Sequence, residues 1–251
     1  MTTYAVALSK GGSTKTTTAA DLVAALADRG RRVLAIDLDQ QGNLTTRMGL
    51  TDSSPVEAVA SEVLLGSATA EQAAVPAPSV DGAWVLAGTH DLADLDQRPE
   101  VITALRDYLP DLHDWDDVVI DTPPALGLVT LAALAAADQV IAAVACETEA
   151  YDQLTRLQDV IEHRIAPRLR RGQKIHWIIP TRYDARRLLD RDVVDQLTQQ
   201  WPGRVTTPIR EAVAARDAYT AGLPVSRYAP GSGIATDYAA ALATIINAQE
   251  Q

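Results

Sequence analysis

Of the three lysines in this 251-residue chain, two lie five residues apart in one segment, Ser9-Lys10-Gly11-Gly12-Ser13-Thr14-Lys15-Thr16-Thr17-Thr18. The chain carries 19 arginines, so it avoids lysine elsewhere and its clustering here points to a requirement. An apolar run, Tyr4–Leu8, precedes the segment, and a helical pattern, Thr17–Arg29, follows it. A glycine-containing loop between a strand and a helix is an anion site, because its amides point inward and the helix dipole favours negative charge. Lys15 stands where it reaches the β- and γ-phosphates of a nucleotide, and the Thr16 hydroxyl where it ligates Mg²⁺. Two further apolar runs end in acids. In Val33-Leu34-Ala35-Ile36-Asp37-Leu38-Asp39, alternation puts Asp37 and Asp39 on one side of an extended chain. Val118-Val119-Ile120-Asp121 places a carboxylate at a strand end, suited to holding Mg²⁺ through the waters that this ion retains.

The loop misses the common pattern G-x-x-x-x-G-K-[ST], since Ser9 and Thr14 take its two glycine positions. Lys10-Gly11-Gly12-Ser13-Thr14-Lys15-Thr16-Thr17 instead resembles the deviant Walker A loop, K-G-G-x-G-K-[ST]-T, of the ParA and MinD-like ATPases, with only the third glycine replaced. Thr14 is the departure: a β-branched residue tolerates unusual backbone angles less well than glycine. Asp37-Leu38-Asp39-Gln40-Gln41-Gly42-Asn43 resembles the family's D-x-D-P-Q-G-N, with Gln40 in place of proline, and Asp121-Thr122-Pro123-Pro124 its D-T-P-P.

The resemblance implies ATP and Mg²⁺ as cofactors, with Gly11, Gly12, Ser13, Thr14, Lys15, Thr16 and Thr17 around the phosphates. It implies that Lys10 reaches across an ATP-sandwich homodimer, that Asp39 orients the attacking water, and that Asp37 supports a metal held by Thr16 and Asp121. Lys10, Lys15 and Asp39 are then the catalytic set. Pro123-Pro124 lacks two amide donors and stiffens the loop that would sense ATP against ADP. Tyr183 and Asp184 look like the family's segment beside the adenine base, and Pro208, Ile209 and Arg210 like its partner wall. The likeness runs from residue 4 to about 246.

Around these residues, further apolar runs at Trp84–Ala87, Val140–Val144 and Ile175–Ile179 alternate with amphipathic stretches at Pro99–Leu109, Asp152–Ile165 and Arg187–Trp201. That order predicts an α/β fold, a doubly wound, mostly parallel sheet with helices on both faces, with residues 1–251 as a single domain, which the resemblance makes a P-loop ATPase domain. Residues 66–83 read as a surface connection.

With 47% hydrophobic and 22% charged residues, the composition is that of an ordinary globular protein. No apolar segment reaches membrane-spanning length. The start of the chain does not read as a secretory signal, and its end, lacking lysine and arginine after Arg227, does not read as a basic membrane helix; a cytoplasmic protein without membrane contact is expected. Only nine residues precede Lys10, too few for an N-terminal helix-turn-helix domain. The four histidines lack metal-ligand spacing, and the single Cys146 reads as a buried small hydrophobe.

Net charge is −11, but residues 160–230 carry 13 basic against 7 acidic side chains. Either these arginines are solvated helix faces or they form a local binding face. Sequence-independent DNA binding by an ATP-bound dimer is the expectation, through Arg187, Arg191, Arg210, Arg216 and Arg227. The family resemblance adds a ParB-like centromere-binding partner, a nucleoid-associated location and a role in partition of a plasmid or chromosome. Positioning of a non-DNA cargo, or nucleotide-dependent binding with impaired hydrolysis, are the alternatives.

Overall fold

The computed structural model describes residues 1–9, 12 and 14–250. Along the chain these form β1 (Thr2–Val6), α1 (Lys15–Ala27), β2 (Val33–Asp37), α2 (Asn43–Arg47), α3 (Ala60–Leu64), α4 (Ala70–Ala73), β3 (Val75–Pro76) and β4 (Ala83–Leu86). There follow α5 (Leu92–Leu95), α6 (Val101–Tyr108), β5 (Asp117–Asp121), α7 (Leu128–Ala136), β6 (Gln139–Ala145), α8 (Ala150–Val160), β7 (Trp177–Thr181), α9 (Leu188–Gln200), α10 (Ala214–Thr220), α11 (Val225–Tyr228) and α12 (Gly233–Asn247).

The strands make one seven-stranded sheet in the order β3-β4-β2-β5-β1-β6-β7, parallel throughout except for the β3–β4 pair. Both faces are covered, as the near-continuous apolar strands require. Alternate side chains separate into two cores. Ala5, Leu34, Ile36, Val118 and Ile120 pack with α6, α7 and α8, while Tyr4, Val6, Val33, Ala35 and Val119 pack with α1 and α12. Helix α7 buries eight of its nine residues, so its sequence has no polar face and no helical period to read.

Residues 66–83 are not only a surface connection. They include α4, capped by Thr69, and the two-residue strand β3, whose Pro76 is tolerated because β3 lies at the sheet edge. A pairing of two residues leaves no alternation for sequence reasoning to detect. The amphipathic stretch 152–165 is α8 continued by a wider, π-helical turn at Ile161–Ile165.

Candidate functional site

Strand order decides which residues can meet. β5 lies between β1 and β2, with Val6 in register with Asp121 on one side and Asp37 in register with Asp121 on the other. The chain leaves β1 into the phosphate loop, leaves β2 into the Asp37–Asp39 turn and leaves β5 into Pro123-Pro124. Three loops distant in sequence therefore open at one carboxyl edge, where the connections from β1 diverge and open α/β sheets bind ligands.

Lys15, the first residue of α1, is only 6% exposed. Burial pushes its ammonium pKa down, and the carboxylates of Asp121 and Asp39 oppose that shift. The Thr16 hydroxyl donates to Asp121 Oδ2 at 2.6 Å. Thr14, at the N-cap, has φ 68° and ψ 13°, so the β-branched residue in the glycine position does take the left-handed conformation. Tyr238, fully buried on α12, belongs to the same apolar core as α1, against which α12 packs. Gly12 and Thr17 lie at the same loop, whereas Lys10, Gly11 and Ser13 fall outside the described residues.

The three acids differ in their surroundings. Asp37 accepts the Asp39 amide at 3.1 Å and both the amide and the hydroxyl of Thr45 at 2.8 Å. Its carboxylate closes the turn, an arrangement that speaks for holding the loop more than for touching a metal. Asp39 has left the strand and accepts the Gln41 amide at 3.1 Å. Asp121 is fully buried, and its second oxygen, Oδ1, has no hydrogen-bond partner among the described residues. Burial, reinforced by the Asp37 charge, pushes the Asp121 pKa up to about 8, and burial pushes Asp37 up to about 6.

These features fit a Mg²⁺ ion. Two buried carboxylates, Asp121 and Asp39, act on the Lys15 ammonium, and a buried Asp121 oxygen has no partner among the described residues; a divalent cation offsets both. Among the described residues no group of three or more His, Cys, Asp and Glu forms a metal cage. Mg²⁺ asks for none, since it is bound through one or two carboxylates, waters and substrate phosphates.

Sequence reasoning did not single out Thr45 or Gly88. The Gly88 amide donates to the Thr45 hydroxyl at 3.0 Å, and a Cβ on Gly88 would stand 2.8 Å from the Asp37 carboxyl carbon. A glycine two residues after a buried strand was the only signal.

A cleft of about 1010 Å³ runs from Lys15 and Thr16 past Asp39 and Pro124 to Ile209 and Arg210. Tyr183, Asp184 and Pro208 do not line it; they line an adjoining hollow of about 520 Å³, which Arg210 shares. The two segments expected to flank the base do meet, because the Tyr183 amide donates to the Ile209 carbonyl at 3.0 Å. Arg182, within the segment that resembles the family's stretch beside the adenine base, lines the main cleft with a left-handed φ of 55° and pairs with Glu147 and Glu211.

The arginines expected to contact DNA are less uniform. Arg187 pairs with Asp184 and Glu211, Arg210 with Asp237, and Arg227 with Asp28. Arg227 is thereby held at the far end of α1, about 20 Å from Lys15 at 1.5 Å per residue. Arg191 and Arg216 are exposed and make no ion pair among the described residues. The five do not form one evenly available face, because acids distant in sequence claim three of them. Cys146 is buried, with its thiol pushed up to about 12 by burial.

A loop that receives phosphates on a helix N-terminus, beside a buried acid at the neighbouring strand end, defines a P-loop nucleotide-binding ATPase. Residues 1–171 match a protein family described as an AAA domain. The chromosome-partitioning ATPase Soj of Thermus thermophilus is 38% identical over 91% of this chain and 88% of its own length. The chromosome partitioning protein ParA of Caulobacter vibrioides is 34% identical over 89% of this chain and 86% of its own. Among solved structures, cobyrinic acid a,c-diamide synthase from Mycobacterium smegmatis with bound ATP analogue and magnesium superposes with a TM-score of 0.84 at 30% identity, covering 100% of this chain and 96% of that one. The chain belongs to the ParA/MinD family of P-loop ATPases, which work with ATP and Mg²⁺. No helix among the described residues is long and apolar enough to cross a membrane.

Proposed function

We propose that this chain is a single-domain, ATP-dependent dimerising switch that partitions DNA. The observation that carries the reading is the convergence of Lys15, Thr16, Asp39 and Asp121 at one sheet edge, in a protein whose relatives include chromosome-partitioning ATPases. Lys15 binds the phosphate oxygens. Thr16 and Asp121 hold Mg²⁺, which when bound neutralises charge on the transferred phosphoryl group. Asp37 keeps the turn in place, and Asp39, its carboxylate oriented by the Gln41 amide, positions the attacking water. Lys10 completes the site across the dimer, and Ile209 and Arg210 flank the base. Turnover is slow, well below the ~10 s⁻¹ median of enzymes, because a switch must persist in its ATP state. A ParB-like centromere-binding protein stimulates it, in a cytoplasmic, nucleoid-associated setting.

The ATP-bound dimer binds DNA without sequence preference, with Arg191 and Arg216 as the leading contacts. Arg187, Arg210 and Arg227 contribute only if their acidic partners release them. Phosphate contacts of this kind weaken steeply with salt. A mobility-shift series on unrelated duplexes, with ATP or ADP at two salt concentrations, tests this. Binding that needs ATP and falls with salt is expected; equal binding in both nucleotides would refute the switch.

A further inference from the structure

Arg47 is a charged residue only 5% exposed, well removed from the phosphate loop in sequence, and nothing in the nucleotide chemistry above employs it. It ends α2, the short helix that begins four residues after Asp39. Its guanidinium donates to the carbonyls of Ala215 at 3.1 Å and Leu223 at 3.3 Å, and lies 5.4 Å from the centre of the Tyr219 ring. From the other end of α2, Asn43 Oδ1 accepts the Tyr219 hydroxyl at 2.9 Å. Tyr219 thus spans α2, touching its first residue with the hydroxyl and its last with the ring. Gly222 packs beside the same helix, where a Cβ would come within 3.1 Å of the Thr46 carbonyl.

The other side of this assembly is tied to the phosphate-loop helix. Asp21, fully buried on α1, accepts the amides of Val225 at 3.1 Å and Ser226 at 2.8 Å, and its charge opposes the desolvation of Arg47. The segment 214–228 is therefore bolted to both helices that leave the nucleotide site: α1 from the phosphate loop and α2 from the Asp37–Asp39 turn. Asp37 binds Thr45 within α2 at the same time, so the turn and α2 share one hydrogen-bonded frame.

We propose that Arg47 and Tyr219 form a latch that couples the Asp39 turn to α10, so that nucleotide state is transmitted to the exposed surface of that helix, where Arg216 stands. Arg47 and Tyr219 are positioning residues here, acting through α2. The proposal rests on the nucleotide-site reading above and extends it to a named route. A buried arginine, desolvated by its surroundings and spent on two backbone carbonyls of another element, specifies a relative placement of α2 and α10 that apolar packing alone would leave less defined.

Hydrogen exchange of the full chain, saturated with ADP·Mg²⁺ or with a non-hydrolysable ATP analogue and Mg²⁺ and without DNA, tests the latch. In the wild type, exchange in residues 39–50 and 213–223 should differ between the two nucleotides. In Tyr219→Leu the difference in 39–50 should persist while that in 213–223 shrinks by about fivefold or more, the lower end of ordinary coupling. Tyr219→Phe, which keeps the ring over Arg47 and loses only the hydroxyl, should fall between and guards against a global folding defect. A nucleotide-dependent difference in 213–223 that survives Tyr219→Leu unchanged would overturn the latch. So would a wild-type response in 39–50 that stops short of 213–223. No response in either segment would sink the site reading itself, and the latch with it.

Discussion

Lys15 and Arg216 line the same cleft, yet they sit in opposite surroundings. Lys15 is buried between Asp39 and Asp121, on an element whose position the sheet fixes; Arg216 is exposed on α10, a helix held by side-chain contacts to α2. At the sheet edge, strand register brings three loops together, and residue types at the strand ends point to the chemistry proposed for them. In the arginine-rich region from 160 to 230, charge counts say little, because Asp28, Asp184, Glu211 and Asp237 neutralise Arg227, Arg187 and Arg210. The lesson is that positions set by backbone hydrogen bonding are readable locally, whereas surface charge depends on partners that only the fold selects.

The sharpest way to break this contrast is at Lys15. Lys15→Ala removes the buried cation proposed to face the phosphates and should weaken ATP binding by at least about 100-fold in isothermal titration. Unaltered affinity would mean that the sheet edge is not the nucleotide site. A second substitution tests whether the edge is as tightly built as its register implies. Gly88→Ala forces a methyl group against the Asp37 carboxyl and should lower the melting temperature by about 3–8 °C, with hydrolysis falling more than nucleotide binding. A variant that melts and turns over like the wild type would show that the Asp37–Thr45–Gly88 frame yields easily.

The arginine region can be sharpened residue by residue. Arg216→Ala and Arg191→Ala should each reduce the salt slope of DNA binding by about 1, whereas Arg227→Ala, whose side chain is occupied by Asp28, should leave it unchanged. Equal effects at all three would restore the picture of one uniform basic face.

A smaller effect is expected at His176, whose Nδ1 accepts the Val140 amide at 3.0 Å. Burial first, and then the charges of Lys174, Arg204 and Arg170, lower its pKa to about 4, below the ordinary value near 6.5. The neutral form is the one folded in, so the unfolded chain binds more protons between these limits. This contribution to stability is complete above pH 6.5 and is lost as pH falls through about 4. Thermal melts of His176→Gln, which keeps an acceptor but cannot titrate, should lose less stability than the wild type between pH 7 and pH 4.5. The smallest effect concerns the strained loop: Thr14→Gly should raise the melting temperature by about 2 °C, the strain relieved at φ 68° being partly offset by glycine's greater freedom when unfolded.

Much of this was legible in the sequence. Six of the seven strands among the described residues and the doubly wound order followed from apolar runs, because buried parallel strands are almost wholly apolar and their ends are marked by a change of chemistry; the residues of the proposed nucleotide site were named from the loop, the strand-end acids and the family resemblance together. Helix α7 was missed because it is buried all round, and β3 because two residues carry no period. The Thr45–Gly88 frame and the Arg47–Tyr219 contact escaped for another reason. Each joins residues 43 or more positions apart through a single hydrogen bond or ring contact, and nothing in either local segment announces the other. Asp37 and Asp39 were read correctly as neighbours at a strand end, but their division of labour, one satisfied by three donors and one by a single amide, required the turn itself.

The account turns on the nucleotide site controlling assembly of the chain, and light scattering of wild type and Asp39→Ala with ATP·Mg²⁺ measures that directly. Asp39→Ala removes the residue proposed to position water and leaves Lys15, Thr16 and Asp121 in place, so it should accumulate as a dimer with ATP and remain a monomer with ADP. The wild type should pass through the same dimer more briefly. If both proteins stay monomeric at saturating ATP, the nucleotide site does not drive dimerisation and the switch is contradicted.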